Sequence, residues 1–169
     1  MSILATDTHY FEDKAQCVAV VFDWSDTLPK TVYKTTIEHI APYEPGQFYK
    51  RELPCIMAVL EQVDLSCIEA IIVDGHVYTS DDGKPGLGAH LFRAINDSIP
   101  IIGVAKSFFR NNAQLTREVL RSESKKPLYV SAVGTPLDEV VNRIKNMPGC
   151  YRMPDMLKHL DQLTRETNK

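Results

Sequence analysis

The chain has 169 residues, of which 44% are hydrophobic and 24% are charged, and its formal net charge at pH 7 is −3. This size and composition are typical of one globular domain and exclude disordered or fibrous chains, so we expect a single domain over residues 1–169. The charge argues against a protein that coats nucleic acid by bulk electrostatics, since phosphate binding depends on Lys and Arg. A nuclease with a local basic face stays open, because metal-binding carboxylates themselves lower the total charge.

Cysteine spacing and hydropathy favour a reducing compartment. The four cysteines lie far apart without the paired spacing of a zinc site, and we expect them to be reduced core residues. No charged-then-apolar leader opens the chain, and no apolar run approaches the roughly 18–20 residues that span a bilayer. We therefore expect a cytoplasmic protein with no membrane partner.

The first forty residues predict three strands in a meander. The half-apolar stretch Ser2–Tyr10 predicts the first strand, and the β-branched run 17–22 predicts a buried second strand. The stretch 31–40, rich in Thr, Ile and Val, predicts a third. Short polar turns at 12–14 and 25–29 favour antiparallel pairing of consecutive strands.

From residue 51 the pattern changes to helices that alternate with buried strands. Apolar residues at three- and four-residue spacing predict helices, and continuous apolar runs predict strands. The predicted elements are a helix over 51–63, a strand over 68–74, a helix over 87–96, strands over 100–105 and 127–133, and helices over 137–145 and 154–166. Because a helix that leads into a buried strand indicates a parallel crossover, the order predicts an α/β, ribonuclease H-like mixed sheet flanked by helices.

Three acidic residues are candidate ligands for a divalent cation. Asp74 ends a buried strand just before Gly75, where crevices open in such sheets, and an equal alternative is that it caps a turn. Asp7 lies midway along the first strand, where Asp is unfavourable unless it faces solvent at an edge. Glu52 lies in the first turn of a helix, where its alternative role is to stabilise the helix by interacting with the helix dipole. Together the three acids offer hard oxygen ligands suited to Mg²⁺ or Mn²⁺.

Two further features suit a phosphodiester substrate. Lys106 directly follows a buried strand and offers a positive charge for a phosphate, unless it is simply a solvent-exposed lysine. Tyr43 lies between Pro42 and Pro45, and Gly46 permits a turn after them. This stiff loop predicts an exposed ring that can wedge between bases, although an ordinary proline turn is the other interpretation.

Short motifs spread over nearly the whole chain resemble the endonuclease V family. They follow the family's order and are Asp7, Pro-Tyr-Glu-Pro-Gly at 42–46, Arg-Glu at 51–52, Val-Asp-Gly-His at 73–76, Leu-Gly at 87–88, Ile-Gly-Val-Ala-Lys at 102–106 and Arg-Met-Pro-Asp at 152–155. No single motif is specific, but their order along the chain is. The resemblance implies a Mg²⁺-dependent endonuclease, with Mn²⁺ as a substitute, that cleaves DNA or RNA near a deaminated purine such as inosine.

The resemblance also implies roles for particular residues. The metal ligands correspond to Asp7, Glu52, Asp74 and Asp161, and the catalytic lysine corresponds to Lys106. His159 remains an alternative to Asp161, because residues two apart on a helix point in different directions. The strand-separating wedge corresponds to Pro42, Tyr43 and Pro45. Main-chain groups around Gly46 and Gly75 would recognise hypoxanthine, because a pocket that contacts the base through backbone groups needs residues without a side chain.

Three departures from the family pattern favour a second hypothesis. Glu44 puts a negative charge in the wedge loop, and the loop 78–85 contains Asp81 and Asp82. Val77 replaces a glycine, and we expect its side chain to narrow or shut the predicted base pocket. These changes favour a relative that has lost base-specific cleavage and serves as a nucleic-acid-binding or protein-interaction module. A third hypothesis, an enzyme for a small phosphorylated substrate, has no motif of its own. The sequence decides neither between DNA and RNA nor the oligomeric state.

Overall fold

A computed structural model of the chain describes residues 1–166. The strands in that range are β1 (Ser2–Tyr10), β2 (Lys14–Phe22), β3 (Thr31–Glu38), β4 (Ile68–Asp74), β5 (Ile101–Ala105), β6 (Arg117–Val119) and β7 (Leu128–Val133). The α-helices in that range are α1 (Tyr49–Leu60), α2 (Leu87–Ala94), α3 (Leu137–Lys145) and α4 (Asp155–Arg165). None of these helices is both long and apolar enough to cross a membrane.

All the described strands form one mixed sheet in the order β3-β2-β1-β4-β5-β7-β6. β1 pairs antiparallel with β2 and parallel with β4, and β2 pairs antiparallel with β3. The predicted meander and the parallel crossover after it are therefore confirmed, and the sheet has the expected ribonuclease H-like form. The boundaries of the predicted elements agree with the structure to within three residues.

The far edge of the sheet differs from the prediction. β7 pairs antiparallel with β5, whereas the alternating pattern predicted another parallel strand, and β6 was not predicted. The segment between β5 and β7 contains the three-residue strand β6 and no α-helix, so it lacks the helical crossover that usually carries a chain to a parallel neighbour. β6 and β7 instead form a hairpin that extends the sheet beyond β5.

Hydrophobic residues cover both faces of the sheet. α1 and α2 pack on one face, and α3 and α4 pack on the other. Side chains alternate along β1, so Ile3 and Ala5 pack towards α3 and α4, whereas Leu4 packs towards α1 and α2. Each of these fully buried Leu or Ile side chains contributes roughly 1.5–3 kcal/mol through the hydrophobic effect. The sheet therefore holds its central strands rigidly between two helical layers.

The expectation for the cysteines is half right. Cys17 and Cys55 are buried, whereas Cys67 and Cys150 are exposed. All four are free thiols. The exposed pair lies at the start of β4 and in the loop before α4, where neither helical layer covers the chain.

Candidate metal centre and substrate cleft

The two central parallel strands separate at the position of the predicted acids. The pairing of β1 with β4 ends at Ala5 and Ile72, two residues before Asp7 and Asp74. Because the register is parallel, Asp7 and Asp74 lie level with each other just beyond the last paired residues. Their side chains share the face that Ala5 presents to α4, since alternate residues of a strand point the same way. The central strand β1 therefore holds Asp7 inside the sheet, which excludes the alternative of a solvent-facing edge position.

A small cavity at this separation brings together acidic and basic side chains. Asp7, Asp74, Lys106 and Asp161 line it, over an apolar floor, and its volume is about 30 Å³. That space is large enough for a water molecule or a small ion. Lys106 is exposed by surface area, yet it lies at this cavity rather than on an unrelated surface. Asp161, not His159, faces the cavity among the described residues of α4.

The acids of this cavity lose water and repel one another. Burial, then the charge of Asp74, raises the pKa of Asp7 to about 7, although the Thr8 amide donates a 2.9 Å hydrogen bond to its carboxylate. Asp161 and Glu52 raise the pKa of Asp7 further. Asp74 is exposed at the cavity mouth, but the surrounding protein still raises its pKa, against the opposing charge of Lys106. The cavity is therefore short of positive charge.

Glu52 approaches this cluster from the other face of the sheet. It is 8% exposed on α1 and does not line the cavity. Burial raises the pKa of Glu52 to about 7, and the nearby hydroxyls of Tyr10 and Thr8 lower it in part. Neither hydroxyl completes a hydrogen bond within residues 1–166. The negative charge of Asp74 also raises the pKa of Glu52, so the two carboxylates repel each other at the end of the sheet.

The residues present fit a divalent cation by their chemistry but do not form a finished ligand shell. Carboxylate oxygens are the ligands that Mg²⁺ and Mn²⁺ prefer, and a cation would relieve the repulsion that raises the pKa values of Asp7 and Glu52. Among residues 1–166, no three His, Cys, Asp or Glu side chains lie close enough together to hold a metal ion as they stand. A cation held by Asp7 and Asp74 would therefore take its other ligands from water, or from Glu52 or Asp161 after a side-chain movement, and the metal-binding roles remain predictions.

A larger cleft opens on the other side of Asp74 and Lys106. Its volume is about 610 Å³, and the predicted substrate-binding residues Tyr43, Gly46 and Gly75 line it. Tyr43 is 59% exposed, so the proline-rich loop presents its ring as expected. Pro42 and Pro45 are exposed in the same loop but do not line the cleft. The candidate cleft and the acidic cavity thus share a wall.

Glycine is required where the backbone after β4 borders the cleft. Gly75 has a φ of +146°, a conformation that residues with a side chain rarely adopt. A β-carbon at Gly75 would also contact Leu87 Cδ2 at 3.8 Å and Phe48 Cε1 at 3.9 Å. The backbone conformation, rather than lack of space, is therefore what requires glycine here, and the Gly75 N–H donates a 3.1 Å hydrogen bond to Val104 O.

The departures from the family pattern do not obstruct this cleft. Glu44 forms an exposed ion pair with Lys50 at 3.5 Å. Val77 is buried against Gly88 of α2 and does not line the cleft, so the predicted narrowing of the pocket wall is wrong. Asp81 accepts a 2.8 Å hydrogen bond from the Gln114 amide. The part of the 78–85 loop that lines the cleft consists of Thr79, Ser80, Lys84 and Pro85 rather than of its acids.

Sequence reasoning missed a polar network behind the cleft. The side-chain amide of buried Asn112 donates to Tyr78 O at 2.7 Å and lies 3.1 Å from His76 Nδ1. His76 Nε2 lies 3.0 Å from Ser107 O, so the ring donates from Nε2 and accepts at Nδ1. Burial lowers the pKa of His76, which favours this neutral form. His76 was visible beside Asp74 in the sequence, but nothing in the sequence pointed to Asn112.

Comparison with known proteins identifies the family. The family model of endonuclease V matches residues 1–162. Endonuclease V of Streptomyces avermitilis is 27% identical over 190 residues, covering 99% of this chain and 80% of that protein. Endonuclease V of Dehalococcoides mccartyi is 27% identical over 164 residues, covering 85% of this chain and 71% of that protein.

Solved structures agree with this assignment at the level of the fold. The S. avermitilis endonuclease V structure superposes with a TM-score of 0.80 at 23% identity, covering 98% of this chain and 80% of that chain. Ciona intestinalis endonuclease V, bound to DNA containing an inosine followed by a ribo-adenosine, superposes with a TM-score of 0.83 at 18% identity, covering 97% and 84%. Since the family model spans all but the last few residues, this chain belongs to the endonuclease V family.

Proposed function

We propose that this chain is a Mg²⁺-dependent endonuclease that cleaves a phosphodiester bond near inosine in DNA or RNA. One observation carries the proposal: Asp7 and Asp74 lie side by side where β1 and β4 separate. Lys106 and a purine-sized cleft adjoin them. Family membership supports a nuclease. The inosine-containing DNA bound to the Ciona protein supports the substrate class.

The charges of the site suit hydrolysis of a phosphodiester. A divalent cation held by Asp7, Asp74 and Glu52, with Asp161 nearby, would lower the pKa of a water molecule and neutralise charge on the scissile phosphate. Lys106 lines both the cavity and the cleft, so its ammonium group can bind the phosphate that follows the recognised nucleotide. Without metal, burial raises the pKa of Asp7 and of Glu52 to about 7, and a bound cation would hold both carboxylates deprotonated as ligands.

The cleft suits a base that has left its stack. A volume of about 610 Å³ accommodates a purine with part of its sugar. Exposed main chain at Gly46 can form hydrogen bonds with the base edge, Gly75 leaves room for the base at the cleft wall, and exposed Tyr43 can occupy the gap that the base leaves. A duplex must therefore open at the inosine before cleavage, whereas a single strand need not.

The test uses end-labelled single strands of DNA and RNA that carry one inosine. We expect a nick in Mg²⁺ or Mn²⁺, no nick in EDTA, and no nick at adenosine in the same position. Asp74→Asn should abolish the nick, whereas Asp81→Asn, which removes an acid of the neighbouring loop, should retain it. A nick that persists in Asp74→Asn or in EDTA would contradict the proposal.

A relative that binds nucleic acid without cutting it is the second candidate. It is favoured by the absence of a finished three-ligand metal shell among residues 1–166. Under this hypothesis, the protein binds inosine-containing strands with measurable affinity but does not nick them, whichever metal ion is added. Detection of the metal-dependent nick in the assay above rejects it.

A further inference from the structure

A second groove adjoins the acidic cavity at α4 and at the loop before it. We call it the distal groove; its volume is about 660 Å³. The residues that matter here are Lys106, Lys126, Tyr151, Arg152, Lys158 and Asp161. They come from the position directly after β5, the turn between β6 and β7, the loop before α4, and α4 itself.

The distal groove is continuous with the reaction centre. Lys106 lines the cleft, the cavity and the distal groove, and Asp161 lines both the cavity and the distal groove. The cleft, the cavity and the distal groove therefore adjoin one another around Lys106. A strand whose modified base occupies the cleft and whose scissile phosphate lies at the cavity must leave through the distal groove or turn into solvent.

The charge of the distal groove is opposite to that of the whole chain. Lysines and an arginine outnumber its acids, which are Glu123 and Asp161, although the net charge of the chain is −3. Lys126 and Lys158 are exposed, and neither forms an ion pair with another residue of 1–166. Such free ammonium groups in a groove attract a phosphate backbone.

An exposed aromatic ring lies among these charges. Tyr151 is 63% exposed, and Lys158 Nζ lies 4.9 Å from its ring centroid. The carbonyl of Tyr151 accepts a 2.6 Å hydrogen bond from the buried side chain of Arg121. Arg152 in turn donates to the carbonyls of Lys106 and Pro127. The backbone beneath the ring is therefore fixed while the ring itself faces solvent.

We propose that the distal groove binds the strand on the far side of the scissile phosphate from the modified base, with a base stacked on Tyr151 and phosphates at Lys126 and Lys158. An aromatic platform within a cationic groove is the arrangement by which proteins hold single strands. This inference rests on the proposed nuclease function, because that function sets which nucleotide occupies the cleft.

The test measures affinity of the full chain for fluorescent inosine-containing single strands in EDTA. The Lys126→Ala/Lys158→Ala double variant should lower the slope of log affinity against log salt concentration by about 1.4, since each phosphate contact on a single strand contributes about 0.7. Tyr151→Ala should weaken binding by about tenfold, whereas Tyr151→Phe should not. Lys125→Ala is the matched control, because Lys125 is exposed beside Lys126 but does not line the groove.

Strands shortened from either end locate the contact. Once the nucleotides beyond the scissile phosphate are removed, the wild type should bind no better than the variants. Equal loss for every strand length, or no difference from Lys125→Ala, would overturn the inference. Nicking in Mg²⁺ is measured separately: a nick without these length effects rejects only the distal groove, and length-dependent binding without a nick rejects only the proposed catalysis.

Discussion

The acidic cavity and the substrate cleft adjoin each other but are built differently. The cavity, about 30 Å³, is formed by residues on β1, β4 and α4 that the two helical layers hold in place. The cleft, about 610 Å³, is formed mainly by three loops, over 43–49, 74–87 and 105–111. Strands thus fix the groups that would do the chemistry, and loops fix the groups that would select the base. Changes in the cavity should alter rate, and changes in the cleft should alter selectivity.

The largest effect is expected for Asp7→Asn. The nicking rate should fall by about a thousandfold or more, because a central metal ligand is lost, while affinity for the inosine strand is retained. The same change should raise the melting temperature of the metal-free protein at pH 8. The pKa of Asp7 is raised to about 7, so its ionised carboxylate destabilises the folded state at that pH. Gel-based nicking and thermal melts measure the two effects. A variant that is both inactive and less stable would contradict the charge-deficient cavity.

A stability change of a few kcal/mol is expected with pH. The pKa values of Asp7 and Glu52 rise to about 7 in the folded chain, above their usual values near 4, so the folded state holds extra protons between those pH values. The free energy of unfolding without metal should therefore fall as pH rises from about 4 to about 7, and level off above pH 7.

Metal should reverse that loss of stability. Mg²⁺ should raise the melting temperature more at pH 8 than at pH 6, because protons compete for the same carboxylates. Denaturation at a series of pH values with Mg²⁺ or EDTA measures this, and Asp7→Asn should show a flatter profile. Stability that rises through pH 5–8 in EDTA would refute the account.

Gly75→Ala should lower selectivity rather than rate. Its φ of +146° makes alanine strained by about 1–3 kcal/mol, and the shifted main chain should reduce the preference for inosine over adenosine by about tenfold or more. Gly83→Ala is the matched control: Gly83 has a φ of +84° but does not line the cleft. Competition nicking should show lost preference for Gly75→Ala alone. Equal loss in both variants would mean that loop stability, not base contact, is responsible.

The smallest effect is expected at Tyr43. Tyr43→Ala should slow nicking of an inosine-containing duplex by several-fold and leave a single strand nearly unchanged, because only the duplex needs its base replaced in the stack. Tyr43→Phe should behave as wild type, since the ring rather than the hydroxyl fills the gap. Initial rates on matched single and double strands measure the difference. Equal slowing on both substrates would assign Tyr43 to the cleft wall instead.

The sequence predicted the strands and acids of the cavity better than it predicted how these acids come together in space. Periodicity identified β4, and the acids at Asp7 and Asp74 stood out because Asp is unfavourable inside or at the end of a strand. Their level alignment depends on strand register, which no local pattern encodes. The approach of Glu52 from the opposite face depends on how α1 packs, so it too was invisible in the sequence.

The cleft and the far edge of the sheet were less predictable, because loops and short strands decide them. Val77 was expected to narrow the pocket, but it is buried against Gly88. β6 has only three residues, too few for a periodic signal, and β7 pairs antiparallel with both β5 and β6. Asn112 acts through hydrogen bonds to residues more than thirty positions away, a separation at which a single sequence carries no signal.

The most direct test is a crystal structure soaked in Mn²⁺, with the metal located by its anomalous scattering. We expect a manganese peak between Asp7 and Asp74. A carboxylate oxygen of Glu52 or Asp161 should lie about 2.2 Å from the metal or be joined to it through one water molecule. A well-ordered crystal with no peak among these carboxylates, or with manganese bound only at Asp81 and Asp82, would contradict it.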